Sequence, residues 1–169
     1  MTATPDPPTR RSEPDDDRQS AQAIDMDVFV PAALTNLAQK ITATASAVYR
    51  PQFGIGVTDW RIIALLAAEP WIAPVRICEA TGLDKAAVSR SLRDLVTAGF
   101  VEANAAARNR RRVPVALTAK GLAAHDRIVV VARARQERLL KSFTPDERAQ
   151  LRDFIARMRG ALDAVNDED

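Results

Sequence analysis

Apolar residues first recur with a helical period at Leu34, Leu37, Ile41, Ala45 and Val48, at spacings of three and four that form one stripe. Pro31 is tolerated in a first turn, so the spacing predicts a helix from about residue 29 that Pro51, Gly54 and Gly56 bring to an end. The next segment, TDWRIIALLAAE, reads as a helix capped by Thr58 and halted before Pro70. A short helix over 74–81 opens on Pro74 and stops before Gly82, the residue type that accepts a left-handed C-terminal cap. Asp84 then stands where an N-cap belongs, at the head of a helix reaching about Ala98 with Gly99 beyond it. Short helix, glycine turn and capped helix form the helix-turn-helix layout.

Beyond Gly99 the period changes. FVEA (100–103) and VPVAL (113–117) lean towards strand, and the polar, basic NAAARNRRR lies between them, so the pair reads as a hairpin or wing. Pro114 is expected to restrict its strand to an edge. Thr118 caps a long helix to about residue 140. Thr144, Pro145, Asp146 and Glu147 supply a cap, a first-turn proline and two acids matched to the dipole of the last helix. Leu151, Phe154, Ile155 and Met158 give that helix an apolar stripe. The expected fold is mainly α, a winged helix-turn-helix with a two-stranded β wing between N- and C-terminal helices.

Composition narrows the class. The chain has 169 residues, 47% hydrophobic and 5% aromatic, enough for one domain with its own core. No apolar run approaches the roughly 20 residues needed to cross a bilayer, and MTATPDPPTRRSEPDDD lacks the apolar block of a signal peptide. The single cysteine fits a reducing compartment, so a bacterial cytoplasmic protein is expected. Residues 1–26, rich in proline and acids, are expected to be a disordered tail. Residues 27–165 are expected to form one domain, and residues 166–169 an acidic tail.

Charge adds a direction. The whole chain carries a net +2, yet residues 27–166 hold 21 basic against 13 acidic side chains, a net +8. On the fourth helix, Val88, Leu92 and Leu95 share one face, while Ala86, Arg90, Arg93 and Thr97 lie opposite and Ser89 lies on the flank. Lys85 in the first turn opposes the helix dipole and needs another justification. A major groove admits such a helix: arginine grips guanine with two parallel bonds, serine adapts, and alanine permits close approach. Taken alone, Arg90 and Arg93 are equally consistent with a solvated face paired to Asp94. Arg108, Arg110, Arg111 and Arg112 shift the balance, because four guanidinium groups in one loop repel each other unless an anion is near. Helix and wing together predict a DNA-binding surface with phosphate and minor-groove contacts at the tip.

The residues TGLDKAAVSRSLRDLVTAGFVEA, the wing RNRRRVPVALTAKG and the FTPDERAQL opening of the last helix resemble the MarR family of bacterial transcriptional regulators. The resemblance covers about residues 28–162. The family's wing reads Asp-Arg-Arg, then an alternating strand and Leu-Thr-x-x-Gly. Here Leu117-Thr118-Ala119-Lys120-Gly121 matches, Arg110 and Arg111 match the arginine pair, and Asn109 replaces the aspartate. Neutral Asn109 accepts a hydrogen bond but cannot supply the charge that orients the wing arginines.

The resemblance implies a homodimer on a pseudo-palindromic duplex. Helices within 27–57 and 122–165 would form its dimerisation part, and 58–121 the DNA-binding lobe. The apolar stripes of the first and last helices fit that arrangement, with packing inside one chain as the alternative. The resemblance also implies repression released by a small aromatic acid or its coenzyme A thioester. Tyr49, Phe53 and Trp60 are candidates for that pocket, core packing being their plainer role.

No cofactor or enzyme activity is expected, since no nucleophile–base pair, paired carboxylates or phosphate loop stands out. Cys78 reads as a small buried hydrophobe, a redox-responsive regulator being the alternative. The lone His125 lacks partners for a metal site, and FGIG (53–56) reads as a loop. A helical protein-interaction module that does not bind DNA is the remaining alternative.

Overall fold

The computed structural model describes residues 24, 25, 28–104 and 113–167. The expected tail residues 1–23, most of the wing and its arginines, Arg108, Arg110, Arg111 and Arg112, lie outside them, as does Asn109. Among the described residues, eight elements follow in chain order: α1 (Val30–Phe53), α2 (Val57–Ala68), α3 (Pro74–Thr81), α4 (Lys85–Thr97), β1 (Val101–Ala103), β2 (Val115–Leu117), α5 (Ala119–Leu139) and α6 (Pro145–Asp167). The fold is mainly helical, as expected, with one antiparallel pair in which Val101 faces Leu117 and Ala103 faces Val115. The chain falls into two units, Met1–Thr42 and Ala43–Asp169. In the first, Phe29, Val30, Leu34, Leu37 and Ile41 are exposed.

The core belongs to the second unit. α2 is its centre, packing against α3, α4, α5 and β2. Ile62 and Ile63 are fully enclosed and Leu66 nearly so, where they meet Ile77 of α3, Val88 of α4 and Ile128 of α5. Burying each such side chain contributes roughly 1.5–3 kcal/mol, and this apolar centre holds α3 and α4 as a helix-turn-helix.

Local chemistry explains most boundaries. Gly82 takes φ +64° and returns its N–H to the Cys78 carbonyl at 2.8 Å, closing α3. Thr118 accepts from the Gly121 N–H at 3.1 Å and opens α5. The Thr144 hydroxyl accepts from the Glu147 N–H at 3.3 Å and opens α6.

Two boundaries differ from expectation. α1 runs through Pro51 and ends at Phe53. The proline removes one N–H, but the last turn still closes through the Gly54 N–H on the Arg50 carbonyl at 2.9 Å, and Gly54 at φ +70° makes the stop. Thr58 lies inside the first turn of α2 instead of capping it. The cap is Gly56, whose N–H is satisfied by Asp59 Oδ2 at 2.9 Å. β2 starts after Pro114 and is an edge strand of the two-stranded sheet, as expected; on the side away from β1 it gains one isolated bridge, in which the Val115 N–H bonds the Ile72 carbonyl at 3.0 Å. Trp71 takes φ +61° immediately before Ile72, turning the chain towards that bridge.

Candidate nucleic-acid interface

The sequence of α4 fixes both its ends and its orientation. Asp84 stays extended at φ −68°, ψ 155°, and its Oδ1 accepts from the Ala87 N–H at 2.8 Å. Val88, Leu92 and Leu95 are buried, as their spacing requires. Lys85, Ala86, Ser89, Arg90, Arg93 and Thr97 are all exposed, so the candidate readout residues share an accessible surface.

The C-terminal end is held by chemistry the sequence did not suggest. Lys120 Nζ donates to the Ala98 carbonyl at 2.6 Å and lies 4.5 Å above the Phe100 ring, a cation placed at the negative pole of α4. Thr118 Oγ1 donates to the Gly99 carbonyl at 2.7 Å, tying β2 and α5 to the exit of α4.

A polar link joins the middle of α4 to α2. The Ser91 hydroxyl donates to Asp59 Oδ1, and Ser91 is the polar side chain buried among the described residues, 4% exposed. The signal was present in the sequence, because Ser91 lies about 60° from Val88 and so falls on the apolar side of the helix.

The partner helix α3 is tied separately. Arg61 donates to the Thr81 carbonyl. Arg76 forms a two-pronged contact with Glu69 at 3.0 and 2.9 Å, and that hydrogen bonding raises the guanidinium pKa further above its ordinary value. Arg76 is therefore a charge already paired at the surface. Between α3 and α4 lies a cleft of about 980 Å³, lined by Pro74, Val75, Cys78, Lys85 and Ser89 among others. Cys78 is half-buried at its wall, a correction to the buried position expected for it.

The three aromatic candidates are brought together. Tyr49 is buried, with its ring centroid 6.5 Å from Phe53 and 6.2 Å from Trp60. Trp60 stacks on His125 at 5.6 Å, and the Arg127 guanidinium lies 5.5 Å from the Phe53 centroid. His125 Nδ1 is 3.1 Å from Asp126 Oδ1. No group of three metal-ligating side chains occurs among the described residues, and no helix there is long and apolar enough to cross a membrane.

The MarR family model matches residues 53–112, which span α2 to the wing. A MarR/EmrR family transcriptional regulator from Acinetobacter sp. ADP1 is 32% identical in sequence, superposes with a TM-score of 0.78, and is aligned over 83% of this chain and 99% of its own. The chain belongs to the MarR family. As a MarR-family protein it is a transcriptional regulator, and α3 and α4 are the helices of its winged helix-turn-helix.

Two more distant structures share that MarR fold. The PcaV regulator from Streptomyces coelicolor, in complex with its natural ligand, is 22% identical with a TM-score of 0.69, aligned over 82% of this chain and 97% of its own. A mutant MarR from E. coli complexed with operator DNA is 23% identical with a TM-score of 0.68, over 80% and 99%. No curated protein matches the chain.

Proposed function

We propose that the protein is a homodimeric, sequence-specific repressor that acts in the cytoplasm and leaves its operator when a small aromatic carboxylate, or the coenzyme A thioester of one, binds. The observation that carries the DNA-binding part is the exposed face of α4, where Lys85, Ala86, Ser89, Arg90 and Arg93 stand together above a buried face. Such a helix enters a major groove with arginines able to read guanine. Arg108, Arg110, Arg111 and Arg112 then follow the phosphates or the neighbouring minor groove. The E. coli MarR bound to operator DNA makes this use of the fold a natural one.

In this reading residues 58–121 form the DNA-binding lobe, and helices within 27–57 and 122–165 form the dimer. The apolar residues left exposed on α1 and α6 support it, since large uncovered apolar faces mark interfaces. The effector site is assigned to Tyr49, Phe53 and Trp60. The tilted and edge-to-face rings of this cluster offer aromatic faces and edges to a planar ligand, and the Arg127 guanidinium over Phe53 suits a carboxylate. A ligand there releases DNA only by binding one lobe spacing more tightly than the other.

A duplex selected by the protein from a random-sequence pool tests the reading. Its affinity should fall steeply with salt, with a log–log slope of about −0.9 per phosphate contact. Arg90→Ala should change which bases are preferred, and Arg111→Ala should weaken all duplexes alike. Selection of no duplex, or unchanged affinity and preference in both variants, would refute it. Thermal-shift titration with aromatic acids and their acyl-coenzyme A esters tests the effector class. A stabilising ligand must also lower affinity for the selected duplex.

A further inference from the structure

We infer that Asp59 is a positioning residue for operator recognition, acting through Ser91 to fix the rotation and height of α4. The inference rests on the DNA-binding reading above and adds to it a residue that touches no base. Asp59 is half-buried in the first turn of α2, and its two oxygens serve two elements: Oδ2 accepts from the Gly56 N–H at 2.9 Å, and Oδ1 accepts from the Ser91 hydroxyl. One carboxylate thereby locks the start of α2 and the middle of α4 to each other.

The need for such a lock follows from the rest of the contact. Val88, Leu92 and Leu95 hold α4 by apolar burial, which is strong but non-directional and tolerates a small slide or rotation. Reading a base edge does not, because a bidentate arginine bond requires its donors at hydrogen-bond distance and in the right plane. Ser91 lies between Arg90 and Arg93 in sequence while pointing into the protein, so its bond is the nearest directional constraint on both. A buried hydroxyl bonded to a carboxylate is stronger than a neutral pair, and rotating α4 away would leave the buried Ser91 hydroxyl without this partner. Trp60 follows Asp59 directly, so the same turn of α2 also carries one member of the aromatic cluster.

The test compares preference, defined as the affinity for a duplex selected by the unaltered full-length protein divided by that for a random duplex of equal length. Ser91→Ala and Asp59→Ala should each lower preference about tenfold, the size expected of one charged hydrogen bond. The double variant should lose no more than either single one, because both remove the same link. Asp59→Asn, whose single amide oxygen can still accept from Ser91 while its NH2 cannot accept from the Gly56 N–H, should retain most of the preference at a lower melting temperature. Thermal stability is measured on each variant. A role confined to folding lowers the melting temperature and leaves preference untouched, and that result would overturn the inference, as would losses that multiply in the double variant. If the unaltered protein selects no duplex, the DNA-binding reading itself fails and the inference falls with it.

Discussion

A methyl group on Gly121 would lie 2.1 Å from the carbonyl oxygen of Phe100 and 3.2 Å from the Leu117 side chain. The same Phe100 oxygen accepts the Thr118 N–H at 3.1 Å, so it cannot retreat without breaking the bond that joins β1 to the start of α5. The glycine is therefore set by space, not by backbone angle. Gly121→Ala is expected to destabilise the protein by about 2 kcal/mol, as overpacking does in cores, measured as a lower midpoint in urea unfolding. Asp84→Ala removes the single side-chain cap of α4 and should cost about 1 kcal/mol. The same titration reads it, and an unchanged midpoint would mean that packing alone sets where α4 begins. Ser91 and Lys120 show the limit of reading residues one at a time. Their partners, Asp59 and the Ala98 carbonyl, are 32 and 22 positions away, a separation no local pattern encodes.

At the level of elements, what the sequence disclosed depended on where the partner group lies. Caps made by a residue's own side chain were legible: Asp84, Thr118 and Thr144 all occur where expected. The cap of α2 was not, because Gly56 has no side chain and borrows the carboxylate of Asp59, while Thr58 offered a plausible hydroxyl two residues late. The second neighbour of β2 was hidden for a similar reason, since Ile72 reaches Val115 only in the folded chain. The start of α6 gives a prediction of its own. The backbone N–H and then the hydroxyl of Thr144 donate to Glu147 Oε2 at 2.7 and 2.9 Å, and these bonds hold the Glu147 carboxyl below its ordinary range. A depressed folded-state pKa means that the contribution is complete above the unfolded value, about 4.3, and is lost as pH falls through the folded value. Unfolding curves of the wild type and Glu147→Gln should thus differ at neutral pH and converge in acid. A gap that persists or widens in acid would show that the carboxylate is not the group opening α6.

Across the whole molecule, uncovered apolar surface and excess positive charge belong to one argument. Phe154, Ile155, Met158 and Leu162 are exposed along α6, and Leu34, Leu37 and Ile41 along α1, so the described chain leaves long apolar faces in water. In the proposed dimer a second copy covers them and brings a second lobe to the duplex, which doubles the phosphates neutralised. Phe154→Glu with Met158→Glu places four carboxylates in that contact per dimer without touching the residues that hold α4. Sedimentation should then report a monomer, and affinity for the selected duplex should fall by more than tenfold, since linked lobes raise each other's effective concentration. The salt dependence is the sharper reading: each contact contributes about −0.9 to the log–log slope, so a lone lobe should show half the slope of the dimer. A monomer that kept the full slope would place all the phosphate contacts within one lobe and remove the reason for pairing.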